Sequence, residues 1–313
     1  MKRFLVLGIC LLMATSAFAQ QQFITIATGG TAGTYFPLGG ALADIWNKNI
    51  PKMNATAQAT GASIANINLL KGGNVDVIFT QNDVASYSYN GTELLKDQAY
   101  KDLRGMACLY NETIQLVALE SSGIKTITDL KGKKVSVGAA GSGTEANARQ
   151  ILESAGLTYN DIKVQYLSFG ESASNMKDGN IDAAFNTAGI PTAAIQDLAV
   201  SKKMVLVPID GQVATKLMAK YPFYALQIVP AGTYQGQNQN VTTVAVKSML
   251  AVSSKLSGDL VYKMLETMYA NTDRLIAAHS QGKNIKIESA LEGMSIPLHS
   301  GAEKYFKEKG VLK

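Results

Sequence analysis

The chain has 313 residues, 47% of them apolar and 17% charged, with 28 glycines and 7 prolines. That excludes a collagen-like, disordered or low-complexity chain and is long enough for two domains. Twenty-nine basic against 24 acidic residues leave a net charge of +5. This is too mild and too scattered to argue for a nucleic-acid partner.

The first segment reads as an export signal. Lys2 and Arg3 form a positive start. Residues 4–14 are an apolar run shorter than the ~20 residues a membrane span needs, and Ala17-Phe18-Ala19 offers a small-x-small cleavage site. Residues 1–19 are therefore expected to be removed and the protein to act in the periplasm. Only Cys108 then remains, so no intramolecular disulfide is available, and its apolar neighbours mark it as a small buried hydrophobe.

Beyond the leader, strands and helices alternate. Residues 23–28 read as a strand and 34–47 as a helix with Leu38, Leu42, Ile45 and Trp46 on one face. A strand at 55–59, a helix at 63–70 and a strand at 75–80 follow. This β-α-β-α-β order predicts a parallel sheet. The order then recurs as a strand at 134–138, a helix at 143–155, a strand at 162–167, a helix at 171–177 and a strand at 181–186. KGGNVDVIF at 71–79 echoes KDGNIDAAF at 177–185, and GGTAGT at 29–34 echoes GAAGSGT at 138–144, both at an offset near 106. A shared offset in two separate motifs predicts two lobes of one topology.

Residues 107–119 are long enough to cross between lobes. Residues 221–230 and 242–252 bracket a polar turn that returns the chain, and a long helix carrying Leu256, Leu260, Met264, Met268 and His279 follows, with a last helix at 302–308. The expected fold class is α/β, a two-lobed clamshell with its ligand cleft between the lobes. Residues 20–112 and 241–313 form lobe 1, and 113–240 form lobe 2.

Each lobe places a Gly/Ser/Thr loop between its first strand and first helix. Free N–H groups of a helix's first turn, close backbone approach at glycine and hydroxyl donors together make an anion site. Two such loops facing across a hinge suit a ligand with two acidic groups. The predicted ligand-binding residues are Gly30, Thr31, Tyr35 and Ser63, then Gln81 and Asn82 after the third strand, Ser142, Gly143 and Thr144, and Asn186 after the equivalent strand of lobe 2. Arg104, Arg149 and Arg274 lie outside both loops, so recognition rests on amides and hydroxyls. GSGTEA at 141–146 fits a dinucleotide fingerprint only in part, because no acid closes the following strand. His279 and His299 lack metal-ligand spacing, and Asp76 and Asp182, equivalent in the two repeats, suit turn or cap roles. No catalytic set, metal or cofactor is expected.

Several segments together resemble the TAXI family of extracytoplasmic solute receptors of TRAP transporters. They are TGGTAGTYFPLGG at 28–40, AQATG at 57–61, QNDV at 81–84, DLKGK at 129–133 with VGAAGSGT at 137–144, and PLHSGAEKY at 297–305. The resemblance covers essentially the whole chain after the leader, although Ala32 and Phe36 stand where relatives often carry Gly and Tyr. It implies the type II periplasmic-binding-protein fold and a non-enzymatic, monomeric receptor. Such a receptor binds a small dicarboxylate or acidic amino acid, similar to glutamate or 2-oxoglutarate, and delivers it to an integral-membrane TRAP permease. The other reading is an exported sensor or surface antigen that binds a solute without transporting it.

Overall fold

The structure, a computed structural model, describes residues 21–313; the expected leader lies outside the described residues. Strand β1 (Gln22–Ala27) is flanked in parallel by β2 (Met53–Gln58) and β3 (Val77–Gln81). Helices α1 (Tyr35–Asn49) and α2 (Ser63–Lys71) make the crossovers, and α3 (Asn82–Asn90) follows β3 directly. In the second half β5 (Lys134–Ser136) is flanked in parallel by β6 (Lys163–Gln165) and β7 (Ala183–Ala188), with α4 (Gly143–Ser154) and α5 (Phe169–Lys177) as crossovers.

Between the two triplets run β4 (Leu103–Leu119) and β10 (Val241–Ser253), the longest strands of the molecule, paired antiparallel to each other. β10 pairs with β3 and β4 pairs with β7, both antiparallel. The sheet order is β2-β1-β3-β10-β4-β7-β5-β6, a near palindrome in which each lobe repeats the other's connections. Helix α6 (Ala193–Ser201), strand β8 (Met204–Val207), helix α7 (Gly211–Lys220) and strand β9 (Ala225–Val229) complete lobe 2.

The internal echoes have a shared physical basis. Gly73 and Gly179, 106 positions apart, both hold a left-handed backbone, with φ of 71° and 76°. Each ends a helix, α2 or α5, in a turn that only glycine enters without a steric penalty. Three residues on, Asp76 accepts from the Thr25 amide at 2.8 Å and Asp182 from the Lys134 amide at 2.8 Å. Each aspartate thus pins the first strand of its lobe to the third.

The C-terminal helices α8 (Gly258–Ala270), α9 (Thr272–Ala278) and α10 (Ser300–Glu308) cover the outer side of lobe 1. Trp46 of α1, fully buried, donates its indole N–H to the Met264 carbonyl at 3.1 Å, tying this layer to α1. The expected single long helix here is two: the chain breaks at Asn271, and His279 stands past the end of α9, capping a short 3-10 turn.

Candidate functional site

The C-terminal ends of β1, β2, β3, β5 and β6 all point toward the interlobe space, so the helices that follow begin there. Gly33 to Tyr35 at the start of α1, Ala62 and Ser63 at α2, Gln81 before α3, Ser142 to Thr144 at α4, and Ser168 and Phe169 at α5 line one cavity of about 60 Å³. Five helix starts around one space direct the positive ends of five macrodipoles onto it. The N-cap residues of α1, α2 and α3 supply no side-chain cap, although the Val84 amide of α3 is taken by the Asp83 carboxyl at 2.8 Å.

The hydroxyls at these starts are already used as acceptors. Ser142 Oγ takes the Glu145 amide at 3.1 Å, Ser63 Oγ the Gln81 amide at 3.2 Å and Thr144 Oγ1 the Thr187 amide at 3.4 Å. A hydroxyl that accepts from backbone keeps its own proton to give. The walls therefore offer donors, as a bound anion requires.

The lobes touch around the cavity. The Ile64 and Ala65 amides of α2 both donate to the Gly141 carbonyl of the opposite lobe at 3.1 Å. Behind this contact, Asn147 of α4 donates to Asp83 of α3 at 3.0 Å, and Gln150 of α4 donates to the Tyr87 hydroxyl at 3.1 Å. On the other side the Gly189 amide donates to Thr34 Oγ1 at 3.1 Å. This is a closed clamshell.

One wall belongs to neither Gly-rich loop. Glu112, from the crossing strand β4, is 2% exposed, lines the cavity and accepts from the Tyr35 hydroxyl at 2.8 Å. Burial pushes its carboxyl up to about 8, against the hydrogen bond from Tyr35 that favours the charged form. Burial and the neighbouring Glu112 raise the Tyr35 hydroxyl well above its ordinary range, so it stays a neutral donor. Asp83, also buried, is pushed up by desolvation to about 6. Among the described residues lining the cavity there is no lysine, arginine or histidine.

Of the residues expected from sequence, Gly30, Tyr35, Ser63, Gln81, Ser142, Gly143 and Thr144 come together at the cavity. Three stand elsewhere. Thr31 is exposed at the loop tip. Asn82 accepts from the Lys247 amide and donates to the Gly293 carbonyl, both at 3.0 Å, fastening α3 to β10 and to the Gly293 segment. Asn186 lies beside Phe169, Ser172 and Ala194 in a separate small depression, its amide on the Ala184 carbonyl. In both cases the adjacent residue lines the cavity: Thr187 because successive residues of β7 point to opposite sides, and Gln81 because it ends β3 while Asn82 already belongs to α3.

Glu112, Ser168 and Thr187 were not among the expected site residues. Ser168 has a legible signal, since it opens a capping box with Glu171 and falls 106 positions after Ala62. Glu112 has one too: an acid inside the apolar run of β4 must be partnered or functional.

The other polar candidates have structural partners. His299 caps α10 and bonds the Leu256 carbonyl at 3.0 Å, while Arg149 pairs with Glu145 at 2.5 Å and stacks over Tyr159. Cys108 is buried, and desolvation pushes its thiol up to about 12. No group of three or more His, Cys, Asp or Glu among the described residues could hold a metal, and no described helix is long and apolar enough to cross a membrane.

A two-lobed α/β clamshell whose helix N-termini converge on an interlobe cavity is the fold of the type II periplasmic binding proteins. The chain belongs to the NMT1-like family, whose profile matches residues 26–310. It is similar to an Escherichia coli K12 protein whose name assigns it aliphatic-sulfonate binding, at 33% identity over 121 residues. That stretch is 39% of this chain and 33% of the relative, so the chain matches about a third of that relative's length. Among solved structures, a Bordetella bronchiseptica RB50 protein superposes with a TM-score of 0.55 at 16% identity, covering 93% of this chain and 89% of its own. A Listeria monocytogenes protein named as an L-cystine ABC transporter superposes with a TM-score of 0.52 at 19% identity, covering 85% of this chain and 98% of its own.

Proposed function

We propose that this chain is an extracytoplasmic solute receptor that closes on a small carboxylate-bearing solute, an acidic amino acid or a dicarboxylate, and hands it to a membrane permease. The observation that carries this reading is the convergence of five helix starts on one interlobe cavity lined by hydroxyl donors without a lysine or arginine. An anion held by backbone amides in a closing cleft is bound by groups that closure itself assembles. A cavity of about 60 Å³ holds roughly four to six waters, the space of a small polar metabolite. Gly30, Tyr35, Ser63, Gln81, Ser142, Gly143 and Thr144 are the proposed contacts. Residues 20–112 with 241–313 are the proposed first lobe and 113–240 the second, with the first nineteen residues as the export signal.

The TAXI-like segments favour a TRAP-type permease, and the name of the Listeria monocytogenes protein favours ABC transport. Either way the receptor acts by binding and not by turnover. Closure around ligand distinguishes loaded from empty receptor for the permease, and its drive is the ligand's higher affinity for the closed state.

The test is calorimetry and thermal shift on the purified exported form with C4–C6 dicarboxylates, acidic amino acids and, as the competing class, short alkanesulfonates. A ligand at ~100 times its Kd stabilises by about 2.7 kcal/mol, a rise in melting temperature that is easily read. Stabilisation by an alkanesulfonate and by no carboxylate overturns the carboxylate reading.

A further inference from the structure

The cavity that the helix starts make attractive to an anion also contains a buried carboxyl, and the two features call for different parts of one ligand. Glu112 sits in the wall at 2% exposure, bonded to the Tyr35 hydroxyl. A carboxylate has room for about four hydrogen bonds; Tyr35 supplies one at 2.8 Å, and the Gln81 amide and the Tyr110 hydroxyl also stand where they favour its charged form, which leaves room for a further donor. Close by in the lining, the Gln81 side-chain carbonyl is buried and has no hydrogen-bond partner, and neither has Thr187 Oγ1. Buried acceptors left unpaired are costly, and the usual resolution is a donor that the empty protein does not contain. No cationic side chain lines the cavity to play that part.

An ammonium group brings three donors and one positive charge. We propose that Glu112 and Gln81, with Thr187 beside them, form the seat of a ligand ammonium group, so that the receptor selects α-amino acids over the matching dicarboxylic and 2-oxo acids. This rests on the reading of the helix starts as the carboxylate seat. With the ligand's carboxylate at those starts and its ammonium at Glu112, each half of a zwitterion meets its complement. A second carboxylate in place of the ammonium meets a like charge or a carboxyl that must stay protonated, and leaves the Gln81 acceptor unpaired.

Tyr35, Tyr110 and Asp83 are the titratable groups that face Glu112. Both tyrosines are held neutral by burial, and Asp83, bonded to Asn147, adds negative charge above about pH 6. The surroundings therefore oppose ionisation of Glu112 until a cation arrives. Amino-acid affinity should rise with pH toward about 8 as deprotonation of Glu112 ceases to compete with binding, and affinity for a dicarboxylate should not rise.

The experiment is isothermal titration of the purified exported protein at pH 6, 7 and 8 with the twenty proteinogenic L-amino acids, glutarate, succinate and 2-oxoglutarate. The clean pair is L-glutamate and glutarate, which differ only in the amino group. The expected result is an amino acid bound about 100-fold or more tightly than its des-amino and oxo counterparts, with affinity increasing with pH. In Glu112→Gln that ratio should collapse to a few-fold, with a cooperative melt retained. Glutarate or 2-oxoglutarate binding as tightly as any amino acid to the unmodified protein overturns the ammonium seat and leaves the carboxylate receptor standing. A ratio unchanged in a folded Glu112→Gln protein overturns it as well. Should that variant not fold, the glutamate–glutarate pair and the pH slope of the unmodified protein still decide. Binding by none of these compounds overturns the carboxylate-receptor reading, and the seat falls with it.

Discussion

Asp76 and Asp182 perform one task twice. Each takes a backbone amide of its lobe's first strand while returning its own amide to the same residue's carbonyl, at 3.0 Å for Asp76 to Thr25 and 2.8 Å for Asp182 to Lys134. Removing such a half-buried acceptor strands a strand-end N–H, which costs about 1–3 kcal/mol. Asp76→Ala and Asp182→Ala are each expected to lower the urea midpoint by that much without changing the slope, and a change under ~0.5 kcal/mol in both would show the pins to be ornamental. Glu112 makes the opposite kind of statement. Its folded carboxyl titrates near 8 against an ordinary value of 4.5, so the folded state holds the extra proton between those two values. Stability is then expected to fall as pH rises from ~5 to ~8, by up to a few kcal/mol, and melting temperatures of Glu112→Gln should lose most of that dependence. Asp83 adds a smaller loss of the same sign that ends near pH 6. Cys108, buried and with its thiol raised to about 12, is expected to resist a thiol reagent at pH 8 until denaturant opens the core; rapid labelling of folded protein would contradict its buried place on β4.

The start of α4 packs closely against Gln81 of the other lobe. A side chain on Gly143 would collide with the Gln81 amide, although its backbone is ordinary for a helix start. Gly143→Ala is therefore expected to fold normally and to bind ligand at least tenfold more weakly, because the cleft cannot shut by the last ångström. Calorimetry beside a thermal melt separates the two effects, and undiminished affinity would mean that closure does not bring these elements together. Element boundaries also show where periodicity informs and where it does not. Helix α1 has a clear apolar stripe and is readable. Helix α3 is buried from Asn82 through Ser88, so its sequence carries no stripe and it was not anticipated. Helices α6 and α7 and strand β8 were likewise missed among short mixed segments, and β9 is shorter than the run that suggested it. Asn271 splits the C-terminal helix although the four-residue apolar spacing reads smoothly through much of it.

Across the whole molecule, the bonds that join the lobes around the cleft are single contacts, not ladders: two amides on the Gly141 carbonyl, the Asp83–Asn147 and Tyr87–Gln150 pairs, the Thr34–Gly189 contact, the Ala194 amide on the Ala32 carbonyl and the Gln281 amide on the Ile190 carbonyl. Against them stands the strain of a buried carboxyl pair, Glu112 and Asp83, without a cation. The ligand-free protein is accordingly expected to spend time open in solution, and scattering should show its radius of gyration falling on addition of a bound amino acid. An identical radius with and without saturating ligand would exclude a hinged mechanism. The repeated sequence made the two-lobed plan legible, because helix-ending glycines and strand-pinning aspartates are local devices that recur at a fixed spacing. The loops Gly29 to Thr34 and Gly138 to Thr144 were legible for the same reason, as strand-to-helix turns with small residues. Which neighbour of a pair lines the cavity was not: Gln81 and Asn82 were both expected and only Gln81 lines it, since Asn82 turns into α3, and Thr187 in place of Asn186 depends on the phase of the pleat of β7, set by its partner β4. Glu112 was legible as an acid within the crossing run, but its place in the cavity wall was not, because β4 crosses between lobes whose residues lie far away in sequence. Local spacing determined the two halves of the receptor; the charge at its centre was decided by their assembly, since burial and distance between remote segments exist only in the folded chain.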